Sequence, residues 1–95
     1  MENIYKNLTG AGETTLSDRP CILDKITVNK AIANGVITAY DNSVTGGTVV
    51  ATITEPATLL QNHYTLEYNG VCKTGLTISI TGASNVTVSY RPTMA

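Results

Sequence analysis

A chain of 95 residues with a net charge of −1 and 14% charged side chains has room for one domain and excludes a surface of massed cations for binding polyanions. Its cations, Lys6, Arg19, Lys25, Lys30, Lys73 and Arg91, are scattered, so nucleic acid is not expected as a partner. No apolar run approaches a membrane span and the opening residues lack the pattern of a secretory leader, so the expectation is synthesis in a cytoplasm and no membrane partner.

Turn signals recur every 8–12 residues, the rhythm of a sandwich or barrel. In chain order, a segment Asn3 to Thr9 ends at Gly10-Ala11-Gly12, and a second, Glu13 to Leu16, ends at Ser17-Asp18-Arg19-Pro20. The long run Cys21 to Asn29 precedes Asn34-Gly35. A hairpin is predicted between Gly35–Asp41 and Thr48–Thr54, its turn bracketed by Asp41-Asn42-Ser43 and Gly46-Gly47. Glu55 to Asn62, stiffened by Pro56, is the expected crossing between sheets. The last segments, His63–Tyr68, Gly75–Ile80 and Asn85–Tyr90, are separated by Asn69-Gly70 and Thr81-Gly82.

Within these segments apolar residues recur with period two, the mark of strands with one buried and one polar face. Ile26 and Val28 share a face with Ile22 further back, and Ile37 and Ala39 share another. Val49, Ala51 and Ile53 form a third row, and Tyr64, Leu66 and Tyr68 a fourth. Leu76, Ile78 and Ile80 match Val86, Val88 and Tyr90 across the Thr81–Ser84 turn, leaving Thr77 and Ser89 on the opposite faces. With no Trp and no Phe, the core has to be built from Ile, Val, Leu and Ala, with Tyr at its margins. Abundant Thr suits pleated strands. The expectation is an all-β, single-domain antiparallel β-sandwich of about eight strands, a jelly roll or related Greek key, spanning residues 1–95. Residues 1–9 form an N-terminal contact arm or an edge strand.

The chain offers little chemistry. His63 is the one histidine, and no Cys-x-x-Cys or His-x-x-x-His spacing points to a metal, so no metal and no cofactor are expected. No nucleophile sits in a recognisable elbow, and a core this small leaves little room for a cleft between paired carboxylates. Asp41-Asn42-Ser43 is better read as a turn than as a calcium loop, and Gly10-x-Gly12 lacks the third glycine of a phosphate cradle. An enzyme is therefore not expected. Cys21 and Cys72 could close a loop of about 50 residues as a disulfide, but they read better as two small buried residues, reduced in a cytoplasm. Low charge is consistent with surface covered in an assembly, and two places carry apolar residues at the periphery: Ile4, Tyr5 and Leu8 near the start, and Leu59 and Leu60 in the crossing loop. These five are the candidate contact residues. For Leu59 and Leu60, a cap over the open end of the core is the other reading.

From Asn7 onward the sequence resembles small virion proteins of tailed bacteriophages. The resemblance is carried by Asn7-Leu8-Thr9-Gly10-Ala11-Gly12, by Ile26-Thr27-Val28-Asn29, and by Ile37-Thr38-Ala39-Tyr40-Asp41-Asn42 leading to Gly47-Thr48-Val49-Val50-Ala51-Thr52-Ile53. Gly75-Leu76-Thr77-Ile78 and Val86-Thr87-Val88-Ser89-Tyr90-Arg91 close it. It implies a head decoration (cement) protein, located on the virion capsid surface after synthesis in the host cytoplasm, with the major capsid protein as partner. A homotrimer matches the local three-fold axes of capsid lattices. The alternative is a tail- or fibre-associated β-sandwich module that binds host glycan or protein. Such sites display aromatic platforms, whereas the tyrosines here mostly alternate with polar residues as a core margin would.

Overall fold

Strands form where β-branched residues alternate with polar ones, and glycine and asparagine break them. The computed structural model describes residues 4–42, 46–58, 63–82 and 84–92. Among these are β1 (Ile4–Thr9), β2 (Gly12–Ser17), β3 (Cys21–Lys30), β4 (Val36–Asp41), β5 (Thr48–Thr54), β6 (Tyr64–Cys72), β7 (Leu76–Thr81) and β8 (Asn85–Pro92), with no helix. They make two antiparallel four-stranded sheets, ordered β1-β8-β3-β6 and β2-β7-β4-β5. That interleaved order is a jelly roll, so the expected sandwich and its strand number are observed. Among the described strands only the consecutive pair β4–β5 stays within one sheet; each other consecutive pair is divided between the sheets, the pair on either side of Glu55 included.

The inner faces meet in one core cluster that includes Leu23, Ile26, Val28, Ile37, Leu76, Ile78, Val86 and Val88, each 1% exposed or less. Fully burying an aliphatic side chain of this size contributes about 1.5–3 kcal/mol. Tyr64, Leu66, Tyr68 and Tyr90 are half-buried against this cluster, which places the tyrosines at its margin. Tyr90 also ties the sheets together, its hydroxyl donating to the Leu16 carbonyl at 3.1 Å.

Several expectations need correction, and β-bulges account for two of them. In β3 the register shifts between Leu23 and Lys25 against both neighbours. The inward row therefore runs Cys21, Leu23, Ile26, Val28, and Ile22 is turned to the other face. In β5 a shift opposite Ala39 and Tyr40 keeps Ala51 and Ile53 inside but leaves Val49 half exposed. Asn69-Gly70 does not separate two segments. Asn69 takes a left-handed φ of 49° and β6 runs on through it to Cys72. Leu76–Ile80 and Val86–Tyr90 lie in different sheets, so they match across the core and not as a paired hairpin.

Thr77 and Ser89 are a further correction, since both are 1% exposed. Each sits on a central strand flanked on both sides, and each hydroxyl is satisfied there. Thr77 donates to the Asn42 carbonyl at 3.0 Å and lies 3.1 Å from the Thr15 hydroxyl. Ser89 donates to the Asp24 carboxylate at 3.2 Å, in the space that the β3 bulge opens.

Candidate functional site

β1 is an edge strand: it pairs with β8 from Ile4↔Tyr90 to Thr9↔Asn85 and has no neighbour on its other side among the described residues. Opposed residues of a ladder share a face, so Ile4, Lys6 and Leu8 lie on the row of Val86, Val88 and Tyr90, while Tyr5, Asn7 and Thr9 look outward. The row is covered at one end only. Leu8 is 7% exposed and belongs to the core, so it is corrected from contact residue to packing residue. Ile4 is 45% and Tyr5 63% exposed, large apolar groups at the free end of an open edge. Leu59 and Leu60 lie outside the described residues.

The edge is held firmly although it is open. Asn7 donates through its side-chain amide to Asn85 Oδ1 at 2.8 Å, and Asn29 donates to the same oxygen at 3.1 Å. Asn7 and Asn29 also both reach the Thr87 hydroxyl, at 3.2 and 2.9 Å. This net spans β1, β8 and β3 on the outer face. Lys6 guards the edge against uncontrolled strand pairing, since a cation on the inward row of an edge strand resists being covered.

A second apolar area went unnoticed in the sequence. Val49, Val50 and Val71 are 50%, 36% and 60% exposed. Val50 and Val71 line a groove of about 240 Å³ together with Leu23, Tyr68, Gly70 and Cys72. The adjacent valines of β5 were a signal, because two consecutive apolar residues in an alternating strand cannot both point inward. A polar recess of about 270 Å³ follows the turn between β1 and β2, from Asn7 to Thr14, and is lined also by Ile80.

The ionisable groups are placed by folding more than for chemistry. Asp41, ending β4, accepts from the backbone N–H groups of Lys73, Thr74 and Gly75 at 2.9, 2.8 and 3.4 Å. Partial burial raises its pKa, but these three bonds and the Lys73 charge outweigh it and hold the carboxyl below its usual range. The turn it holds is tight: a Cβ on Gly75 would come 2.5 Å from the Ser17 carbonyl. Glu55 is 4% exposed, accepts a hydrogen bond from the Tyr64 hydroxyl, and has its pKa pushed up by burial. His63 is exposed just before β6. Among the described residues no three His, Cys, Asp or Glu side chains gather where they could hold a metal ion. Among the described residues no helix is long and apolar enough to cross a membrane.

No protein-family model matches the chain, and no curated protein matches it.

Proposed function

We propose that the chain is a structural virion protein of a tailed bacteriophage, decorating and stabilising the outer capsid surface as a homotrimer seated on the major capsid protein. The observation that carries this reading is the open β1 edge, with Ile4 and Tyr5 exposed at its free end on an otherwise well-bonded strand. Apolar groups on a rigid edge bind a partner with little ordering cost. Three such edges per trimer make attachment multivalent, so no single contact has to be tight. Jelly rolls recur in viral capsids and in lectins, an analogy of fold that leaves function to be argued from the surface. On that surface only Tyr5 of the five tyrosines is exposed, which gives little aromatic platform for a glycan in a tail or fibre module.

The test is add-back to phage heads lacking the protein. Wild-type chain is expected to saturate the heads, and Ile4→Asp/Tyr5→Asp is expected to fold normally yet bind at least about tenfold less, the effect of losing about 1.4 kcal/mol. Equal binding by the variant would remove the β1 edge from the contact. No binding to heads, with binding to host cells instead, would favour the tail or fibre module.

A further inference from the structure

The ladder between β3 and β6 sets Cys21, the first residue of one strand, directly opposite Cys72, the last of the other. Their side chains are 0% and 1% exposed, and both are free thiols. Opposed residues of an antiparallel pair have Cα atoms about 4.5–5.5 Å apart, inside the window of about 4.4–6.8 Å that a disulfide spans. Their Cβ atoms, about 4.5–5.5 Å apart in such pairs, have to close by up to roughly 1 Å to reach disulfide geometry. β6 is the strand free to make that move. It is the outer strand of its sheet, bonded to β3 alone among the described strands, and Cys72 is at its end beyond the irregular register at Asn69. The apolar groove beside Val50 and Val71 is lined in part by Cys72, so a small neutral molecule seated there lies against one of the two cysteines.

We propose that Cys21 and Cys72 form a latent disulfide, closed across β3 and β6 by a small organic disulfide acting as oxidant. The Cys72 thiolate attacks one sulfur of the oxidant and displaces its other half as a thiolate. The Cys21 thiolate then attacks Cys72 Sγ, forms the Cys21–Cys72 bond and displaces the second half. Two electrons pass from the protein sulfurs to the oxidant, and the two thiol protons end on the two released thiols. One disulfide is consumed and one is made. The hydrogen bond between the thiols lowers the pKa of Cys21, while the same bond and burial push that of Cys72 far up. Entry at Cys72, buried and hard to ionise, is therefore the slow step. Both cysteines stay reduced in a cytoplasm, and the bridge forms on prolonged contact with oxidising surroundings.

The probe is hydroxyethyl disulfide, added to the folded full-length chain and followed by intact mass. Wild type is expected to lose the mass of two hydrogen atoms, to migrate as a single chain on a non-reducing gel, and to melt on the order of 10 °C higher until reductant is added. Cys21→Ala is expected to stop at an adduct carrying one mercaptoethanol group on Cys72. Wild type alone decides if that variant does not fold. Lasting adducts, chain-to-chain dimers, two thiols still titrating after long incubation, or a bridge without a rise in melting temperature would each overturn the proposal.

Discussion

The two ends of the sandwich each carry a carboxyl withdrawn from water, Asp41 partly and Glu55 almost wholly, and they treat it in opposite ways. At one end Asp41 faces three backbone N–H donors in the turn before β7, so the fold favours the ion. At the other, Glu55 is buried after β5 with the Tyr64 hydroxyl against it, so the fold favours the neutral acid. The difference shows that burial does not set a carboxyl's role: the supply of donors does. Asp41 acts as a structural acceptor that closes a turn, whereas Glu55 is tolerated at a cost.

The sharpest way to break this contrast is to delete both carboxyls in turn. Asp41→Ala leaves three amides without their acceptor and is expected to cost about 2–4 kcal/mol in denaturant unfolding. Glu55→Gln keeps an acceptor for Tyr64 and removes the buried charge, so it is expected to change stability by less than about 1 kcal/mol. Equal losses would mean that the two ends are not different in kind.

Stability against pH sharpens it further. The folded pKa of Asp41 lies below its ordinary value of 3.8, so its contribution is complete above that value and fades as pH falls through the folded one. That of Glu55 lies above 4.5, so the fold binds the extra proton, and stability falls as pH rises from 4.5 through the folded pKa. Melting temperature is expected to peak in mild acid. Glu55→Gln should flatten the alkaline limb of that peak and Asp41→Asn the acid limb.

Two hydroxyls test the ends at smaller scale. Thr77→Ala removes the bond to the Asn42 carbonyl beside Asp41 and is expected to cost about 1–2 kcal/mol. Ser84, 0% exposed near the Glu55 end, has a hydroxyl with no partner among the described residues, so Ser84→Ala is expected to be neutral or to stabilise by up to about 1 kcal/mol. Matching losses at both positions would contradict the accounting of donors and acceptors.

Period-two alternation made the all-β sandwich and most of the core legible in the sequence, because Ile37, Ala39, Ile78 and Val88 lie on strands that keep their own alternation, the extra residue of each register shift sitting on the neighbouring strand. It failed where a bulge changes parity. Ile22 and Val49 carry the same apolar signal as their neighbours, and only the partner strand decides which way they turn. Burial of Thr77 and Ser89 was illegible for a related reason, since a residue on the polar face of a central strand can still be covered by both neighbours. The candidate site was half legible. Ile4 and Tyr5 are exposed as apolar residues of an edge strand can be, whereas Leu8 follows the same alternation into the core. That Cys21 meets Cys72 depends on the register of strands about fifty positions apart, which no local pattern encodes.

The proposed role is tested most directly by a reconstruction of the virion carrying this chain. Copies are expected in threes around three-fold or quasi-three-fold positions on the head, with the β1 edge, Ile4 and Tyr5 at the contact with the capsid lattice or a neighbouring copy. Density confined to the tail tip, or isolated single copies with β1 facing solvent, would contradict it.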